Sequence, residues 1–523
     1  MNKYAALLLM FLGLLTACQS PPQTSKSSPP NILIAIADDV SFPHMGAYGC
    51  SWIQTPHFDR VAREGLLFQN AYTPNAKCAP SRSIILTGRN SWQLEEAANH
   101  VPYFPDKFKT VFEVLAENQY FTGHVAKGWA PGKVGEINGK KRQLVGPAFN
   151  TKILQAPTTG IAQFDYAANF EDFLSQKPAD KPFCFWYGSL EPHRAYEYGT
   201  GVRLGGKKTT DIDDLFGFFP DLDTVRNDVL DYAFELEYFD QHLGKMLAML
   251  EAQGELDNTV VIVTADNGMP FPRVKGQAYE RSNHLPLAIM WGKGIKDPGR
   301  VIEEFVSFAD FSPTLLDLAQ IDIQEAGMQA FEGFSLGEIL ENKRSLPRRE
   351  HMIIGKERHD VGRPQDQGYP IRGIVNQDYT LLVNFKPDRW PSGNPETGYL
   401  NCDGGASKTA ILHQRRFEQE TTYWDLAFGK RPDVELYNRK NDPDCLYNLA
   451  RDTNYREIRE ELFIQLMVEL NAQGDPRVLG QGDIFDNYTY AHEANRNFYE
   501  RFQAGELGPE VTGWVNPDDY EQD

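Results

Sequence analysis

Four short runs of almost uninterrupted apolar residues punctuate the chain: Asn31–Ala37 (NILIAIA), Phe121–Ala126 (FTGHVA), residues 183–187 (FCFWY) and Thr259–Ala265 (TVVIVTA). Continuous rather than alternating hydrophobicity marks strands covered on both faces, as in a parallel sheet. The segments between them carry a helical period. Thr55-Pro56 reads as a cap with proline in the first turn, Phe58, Val61 and Ala62 share a face, and Gly65 ends the helix. Residues 228–250 form a longer amphipathic pattern, stopped by Gly254. This alternation predicts an α/β fold with a central, mostly parallel sheet flanked by helices. From about residue 346 the character changes. Tyr379–Asn384 (YTLLVN) predicts an antiparallel strand, and residues 456–471 a terminal helix with Leu462, Leu466 and Leu470 on one face. A main domain over residues 31–345 and a smaller C-terminal α+β subdomain with an antiparallel sheet over 346–523 are therefore expected.

Residues 1–17 fit neither pattern. Lys3 precedes an apolar stretch over 5–15, and Leu15-Thr16-Ala17-Cys18 places small residues ahead of a cysteine. This resembles a bacterial lipoprotein signal peptide, with cleavage before Cys18 and lipid on Cys18 as the anchor. Residues 18–30 (CQSPPQTSKSSPP) have too little apolar content to fold and read as a flexible tether. No later stretch is long and apolar enough to span a bilayer. The expectation is an exported, membrane-anchored lipoprotein, in the periplasm or at the cell surface. Among 523 residues, 52 are Lys or Arg and 72 are Asp or Glu, a net charge of −20. That balance argues against a nucleic-acid partner, and a polyanionic substrate would need a local basic pocket. An oxidising compartment permits disulfides among Cys50, Cys184, Cys402 and Cys445, whose pairing stays open, although Cys184 within the apolar run reads as a buried free thiol.

Each apolar run leads into polar chemistry. Asp38-Asp39 follow the first, Lys127-Gly128 the second, His193 lies shortly after the third, and Asp266-Asn267-Gly268 follow the fourth. Ligands of open α/β sheets bind beyond the carboxyl ends of the strands, so these groups could meet at one rim. One acidic pair alone would most simply cap a helix or face solvent; two pairs on two strands favour a cation. Asp38, Asp39, Asp266 and Asn267 are hard oxygen donors, suited to calcium or magnesium rather than zinc. Cys78-Ala79-Pro80-Ser81-Arg82 then places a cysteine at the start of a helix, where backbone donors favour an anion, although a plain buried cysteine would read the same way.

Residues 31–39, 55–72 (TPHFDRVAREGLLFQNAY) and 78–88 strongly resemble the type I, formylglycine-dependent sulfatases of the alkaline phosphatase superfamily. The resemblance continues through Pro192-His193, Thr264-Ala-Asp-Asn-Gly268, Lys275-Gly-Gln-Ala-Tyr-Glu280, Asp310-Phe-Ser-Pro-Thr-Leu-Leu316, and Glu435-Leu-Tyr437 with Asp442-Pro443 and Asn448-Leu449. It implies an alkaline-phosphatase-like main domain. It also implies that Cys78, with Pro80 and Arg82, is converted to formylglycine by a formylglycine-generating or anaerobic maturase enzyme. One calcium ion would be bound by Asp38, Asp39, Asp266, Asn267 and the modified Cys78. Arg82 would orient the hydrated aldehyde, Lys127 and Lys275 would neutralise sulfate oxygens, and His193 would serve the leaving group. One departure stands out. Many members read Gly-Lys-x-His where this chain reads Ala126-Lys127-Gly128-Trp129, so a histidine that assists sulfate release is replaced by Trp129. His124 does not replace it; on a strand it points to the face opposite Lys127 and reads as a packed histidine.

Further segments, Thr122-Gly123, Pro192-His193-Arg194, Asp266-Asn-Gly-Met-Pro-Phe-Pro272, Glu357-Arg-His359 and Tyr369-Pro-Ile-Arg372, resemble the heparan N-sulfatase branch, the N-sulfoglucosamine sulfohydrolases. They make Glu357, His359 and Arg372 candidate sugar contacts, with surface loop residues as the equal alternative, and the separate segment Lys386-Pro-Asp-Arg-Trp-Pro391 adds Trp390 as either a stacking platform or a packing residue. The implied substrate is a sulfated oligo- or polysaccharide, either heparan-type N-sulfoglucosamine or algal. Three other readings remain: a phosphatase or phosphodiesterase of the superfamily, which Asn267 and Cys78 argue against; a catalytically impaired lipoprotein that binds sulfated glycans; and a sulfamidase for small molecules.

Overall fold

The structure is a computed structural model that describes residues 28–137, 139–343 and 349–521. The expected signal peptide, Cys18 and most of the tether lie outside the described residues. The strands, in chain order, are β1 Asn31–Ala37, β2 Leu66–Tyr72, β3 Phe121–Ala126, β4 Glu136–Ile137, β5 Lys140–Lys141, β6 Phe183–Gly188, β7 Thr259–Ala265, β8 His284–Met290, β9 Arg300–Ser307, β10 His351–Lys356, β11 Ile371–Asn376, β12 Tyr379–Asn384 and β13 Val434–Asn438. Seven of them form one sheet in the order β3-β6-β1-β7-β8-β2-β9. All four apolar runs are strands of its parallel half, β3, β6, β1 and β7. The other half is mixed: β8 runs antiparallel to both β7 and β2, while β2 and β9 are parallel.

Both faces of the sheet are covered, as continuous apolar strands require. Leu33, Ala35 and Phe185 face the helix Asp223–Ala252 through Leu236, Phe239 and Leu243. Ile32, Ile34 and Ile36 face the other layer, made by the helices Cys78–Thr87, Val111–Glu117 and Phe311–Leu318. Parallel pairing in register brings the strand ends level, with Ala37 beside Ala265, Ile36 beside Gly188, and Ala126 beside Gly188. Asp38, Lys127, Ser189 and Asp266 consequently begin at one rim.

A separate antiparallel sheet has the order β10-β11-β12-β13. The helix Arg456–Ala472 packs on it through Leu462, Leu466 and Leu470, against Ile374, Leu381 and Leu436. The five cysteines among the described residues, Cys50, Cys78, Cys184, Cys402 and Cys445, are all free thiols, so the disulfides that the compartment would permit are not formed here.

Candidate active site

Asp39 starts the site. It adopts a left-handed backbone (φ 75°), a conformation Asp tolerates better than bulkier residues, and this turns the chain sharply off β1. Its N–H donates to Asp266 Oδ1 at 3.1 Å, tying the ends of β1 and β7 together. Across this junction lies the helix Cys78–Thr87, buried along its whole length, with Cys78 in its first turn and 1% exposed. Asp38, Asp39, Cys78 and Asp266 each offer a ligand atom within 4.8 Å of the others. Asn267 Nδ2 donates to Asp39 Oδ1 at 2.5 Å, whereas its buried Oδ1 has no hydrogen-bond partner. A fully buried, unpartnered amide oxygen beside three carboxylates is what a hard cation would satisfy. The donor set therefore fits a divalent ion.

The cations of the site face these carboxylates. Arg82 is wholly buried; its Nε donates to Asp266 Oδ2 at 2.8 Å, and Nη1 to the carbonyls of Lys127 and Gly128 at 2.6 and 2.8 Å. It clamps the ends of β3 and β7 onto the cysteine helix. Lys127 pairs with Asp38 and Lys275 with Asp39, and Lys275 also lies 3.4 Å from Asp403. Burial works against both ammonium groups, yet the adjoining carboxylates hold each lysine above its ordinary value, Asp38 for Lys127 and Asp39 for Lys275. His193 approaches from the open side, with Nε2 3.8 Å from Asp39 Oδ2 and Nδ1 donating to the Arg194 carbonyl at 2.6 Å. Burial pushes the Cys78 thiol up to about 12, with the neighbouring lysines opposing and the carboxylates assisting. Without a cation beside it, an unmodified Cys78 is thus held toward the thiol rather than the thiolate a cysteine nucleophile needs.

Trp129 points away from this chemistry. Its indole N–H donates to Ser83 Oγ at 2.8 Å and its ring packs edge-on against Phe104, so it fixes the cysteine helix to the loop after β3. His124 Nδ1 donates to the Gly146 carbonyl (3.0 Å) from a half-buried position, as a packed histidine.

A pocket of about 380 Å³ opens beyond His193. Lys77, His100, Asp360 and Asp403 line it together with Tyr490, His492 and Trp514 from the last part of the chain.

The family model described as Sulfatase matches residues 30–321. The chain belongs to the sulfatase family. It is 28% identical over 489 residues to the human N-sulphoglucosamine sulphohydrolase, covering 88% of this chain and 91% of that one. It is 26% identical over 466 residues to an ulvan-active sulfatase of Formosa agariphila, covering 86% and 81%. Among solved structures, one in complex with its substrate D-glucosamine-2-N,6-O-disulfate superposes with a TM-score of 0.59 at 19% identity, over 86% of this chain and 99% of that one. The protein is a sulfuric ester or sulfamate hydrolase built on the alkaline-phosphatase-like fold.

The structure of this sulfatase brings Asp38, Asp39, Cys78, Arg82, Lys127, His193, Asp266, Asn267 and Lys275 into one cluster. It does not bring Glu357, His359 and Arg372 to the pocket wall. Arg372 is buried on Asp475 (2.6 Å) and Glu357 (2.8 Å), and Glu357 also holds Arg477 at 2.7 Å. His359 is buried, with Nε2 3.2 Å from Asn75 Oδ1. Trp390 packs against Trp424 under Lys430. The pocket is lined instead by groups the sequence did not single out, Lys77, His100, Asp360, Asp403, Tyr490, His492 and Trp514. Asp360 follows His359 directly, so the motif and the pocket share one loop.

Proposed function

We propose that this sulfatase is a formylglycine-dependent, calcium-binding enzyme of polysaccharide degradation, acting on N-sulfated glucosamine of heparan type. The reading is supported most by the buried cluster that sets Asp38, Asp39, Asp266 and the unpartnered Asn267 oxygen around Cys78. The N-sulfoglucosamine assignment leans on the human relative, and the ulvan-active relative is the reason to test algal sulfates beside it. Export on a signal peptide and a lipid anchor at Cys18 complete the proposal; a tethered hydrolase would meet polymer fragments outside the cytoplasm.

Asp38, Asp39, Asp266 and Asn267, with the modified Cys78, would hold calcium, which supplies Lewis acidity to a sulfate oxygen and to the nucleophile. Conversion of Cys78 to formylglycine supplies two hydroxyls on one carbon, one to take the sulfuryl group and one to let sulfate leave without attack by water. Lys127 and Lys275, kept charged by their carboxylates, stand where they can balance sulfate oxygens as charge builds on them. Arg82, engaged with Asp266 and two carbonyls, keeps the strand ends and Cys78 in register. His193 commits Nδ1–H to the Arg194 carbonyl, so the proton for the departing oxygen or nitrogen would be the one carried on Nε2 of its imidazolium form. With Trp129 committed to Ser83, the proton of the release step falls to His193 or to solvent.

The test is mass spectrometry for the aldehyde at Cys78, followed by ion chromatography of sulfate released from N-sulfated glucosamine, O-sulfated glucosamine and ulvan oligosaccharides. Release confined to N-sulfated glucosamine is expected. Release confined to ulvan would overturn the substrate assignment, and no release by converted protein would favour a glycan-binding role.

A further inference from the structure

The pocket beyond His193 is lined by two residues that each carry a buried polar atom without a hydrogen-bond partner among the described residues. Asp403, 5% exposed, has no hydrogen-bond partner for Oδ2, although that oxygen lies 3.4 Å from Lys275 Nζ outside bonding geometry. His100, 8% exposed, has no partner for Nε2. Its other nitrogen, Nδ1, sits 3.1 Å from Asp360 Oδ1, and Asp360 is itself gripped by Lys77 at 3.3 Å and by the Tyr490 hydroxyl at 3.0 Å. With Nδ1–H donated to a carboxylate, Nε2 of a neutral imidazole presents a lone pair. Both orphan atoms therefore want hydrogen-bond donors.

We propose that Asp403 Oδ2 and His100 Nε2 form a sugar-reading site that accepts hydrogen bonds from two donors, hydroxyl or amine, on the ring that carries the scissile sulfate. The inference rests on the carbohydrate-sulfatase reading and deepens it. Burial neutralises His100, lowering it to about 4 against the pull of Asp360, so the ring stays an acceptor at neutral pH. Lys275, His193 and Lys77 hold the Asp403 carboxyl well below the ordinary carboxylate range against its burial, so that it too remains an acceptor. Buried acceptors left without partners are costly, and a ligand supplying the missing donors recovers that cost. A ligand that cannot supply them is rejected. Val101, Tyr490 and Trp514 provide the apolar remainder of the wall, suited to the carbon face of a pyranose. An aryl sulfate would reach the catalytic cluster without engaging either acceptor.

The experiment compares Asp403→Asn, His100→Phe and the double variant with the parent on two substrates, N-sulfoglucosamine oligosaccharide and 4-nitrophenyl sulfate. On the sugar, kcat/KM should fall about 10- to 100-fold for Asp403→Asn and about 5- to 10-fold for His100→Phe; the aryl sulfate should change by less than about threefold for His100→Phe and, for Asp403→Asn, which also loosens Lys275, by about tenfold less than the sugar. Equal loss on both substrates would overturn the inference, because Asp403 would then merely hold Lys275 and His100 merely hold Asp360. Unchanged turnover of the sugar would overturn it as well. If the parent hydrolyses only the aryl sulfate, it is the carbohydrate reading that fails, and the site falls with it. Thermal melting of each variant separates lost recognition from lost folding.

Discussion

Arg372 has its nitrogens engaged inside the protein. Nε and Nη2 donate to Asp475 at 2.6 and 3.0 Å, Nη2 reaches Glu357 at 2.8 Å, and Nη1 meets the carbonyls of Lys356 and Ile371. Removing one partner of such a network strands buried charge. Arg372→Ala should therefore lower stability by about 3–5 kcal/mol in urea unfolding, with KM for a sulfated saccharide changed less than about twofold. A large KM effect in a fully folded variant would restore its role as a sugar contact. Trp129 makes a similar case. Trp129→His would reintroduce the imidazole common in the family, but it removes the bond to Ser83 and the contact with Phe104. The expected outcome is a loss of about 2–4 kcal/mol by calorimetry and no gain in turnover. At this scale the metal-type donors were legible because each terminates an apolar run. Asp403, His100 and Asp360 were not, because their neighbourhood is made by contacts between segments far apart in the chain.

Glu280 shows what joins the two sheets. It accepts from the Tyr72 hydroxyl at 2.6 Å, meets His284 Nδ1 at 2.9 Å, and pairs with Arg439 at 3.0 Å. The first two belong to β2 and β8, the last follows β13 of the antiparallel sheet. Burial alone would raise the Glu280 carboxyl, but Arg439 and His284 reverse this and hold it well below the usual range. A depressed carboxylate contributes stability that is present above the unfolded-state value and lost as pH falls through the folded-state value. Glu280→Gln should accordingly cost about 3–5 kcal/mol at neutral pH. The gap from the parent should narrow as melting is followed down from about pH 5 toward pH 3; a constant gap would mean that shape rather than charge matters there. The parallel strands were readable because being buried on both faces leaves an unbroken apolar run. β2 and β9 carry polar residues inside their spans, as in Leu66–Tyr72 (LLFQNAY), and their pairing depends on neighbours that no local pattern records. The same holds for the mixed direction of β8.

Over the whole molecule a net charge of −20 coexists with a centre where buried Asp38, Asp39, Asp266 and Asp403 outnumber Arg82, Lys127 and Lys275. A divalent ion reverses that local balance and prepares the cavity for an anion. Chelation should lower the melting temperature and abolish sulfate release, and calcium at a hundred- to thousandfold excess over its Kd should return about 3–4 kcal/mol. Unchanged melting in chelator would show that the centre is stable without an ion. The topology has one more consequence, for the order in which the molecule is made. β1 sits between β6 and β7, and Asp39 meets a partner 227 positions later in the chain. Until the chain has been made past Asp266, the sheet that packs over the Cys78 helix lacks its middle strand, so the thiol is shut away only after β7 has joined β1.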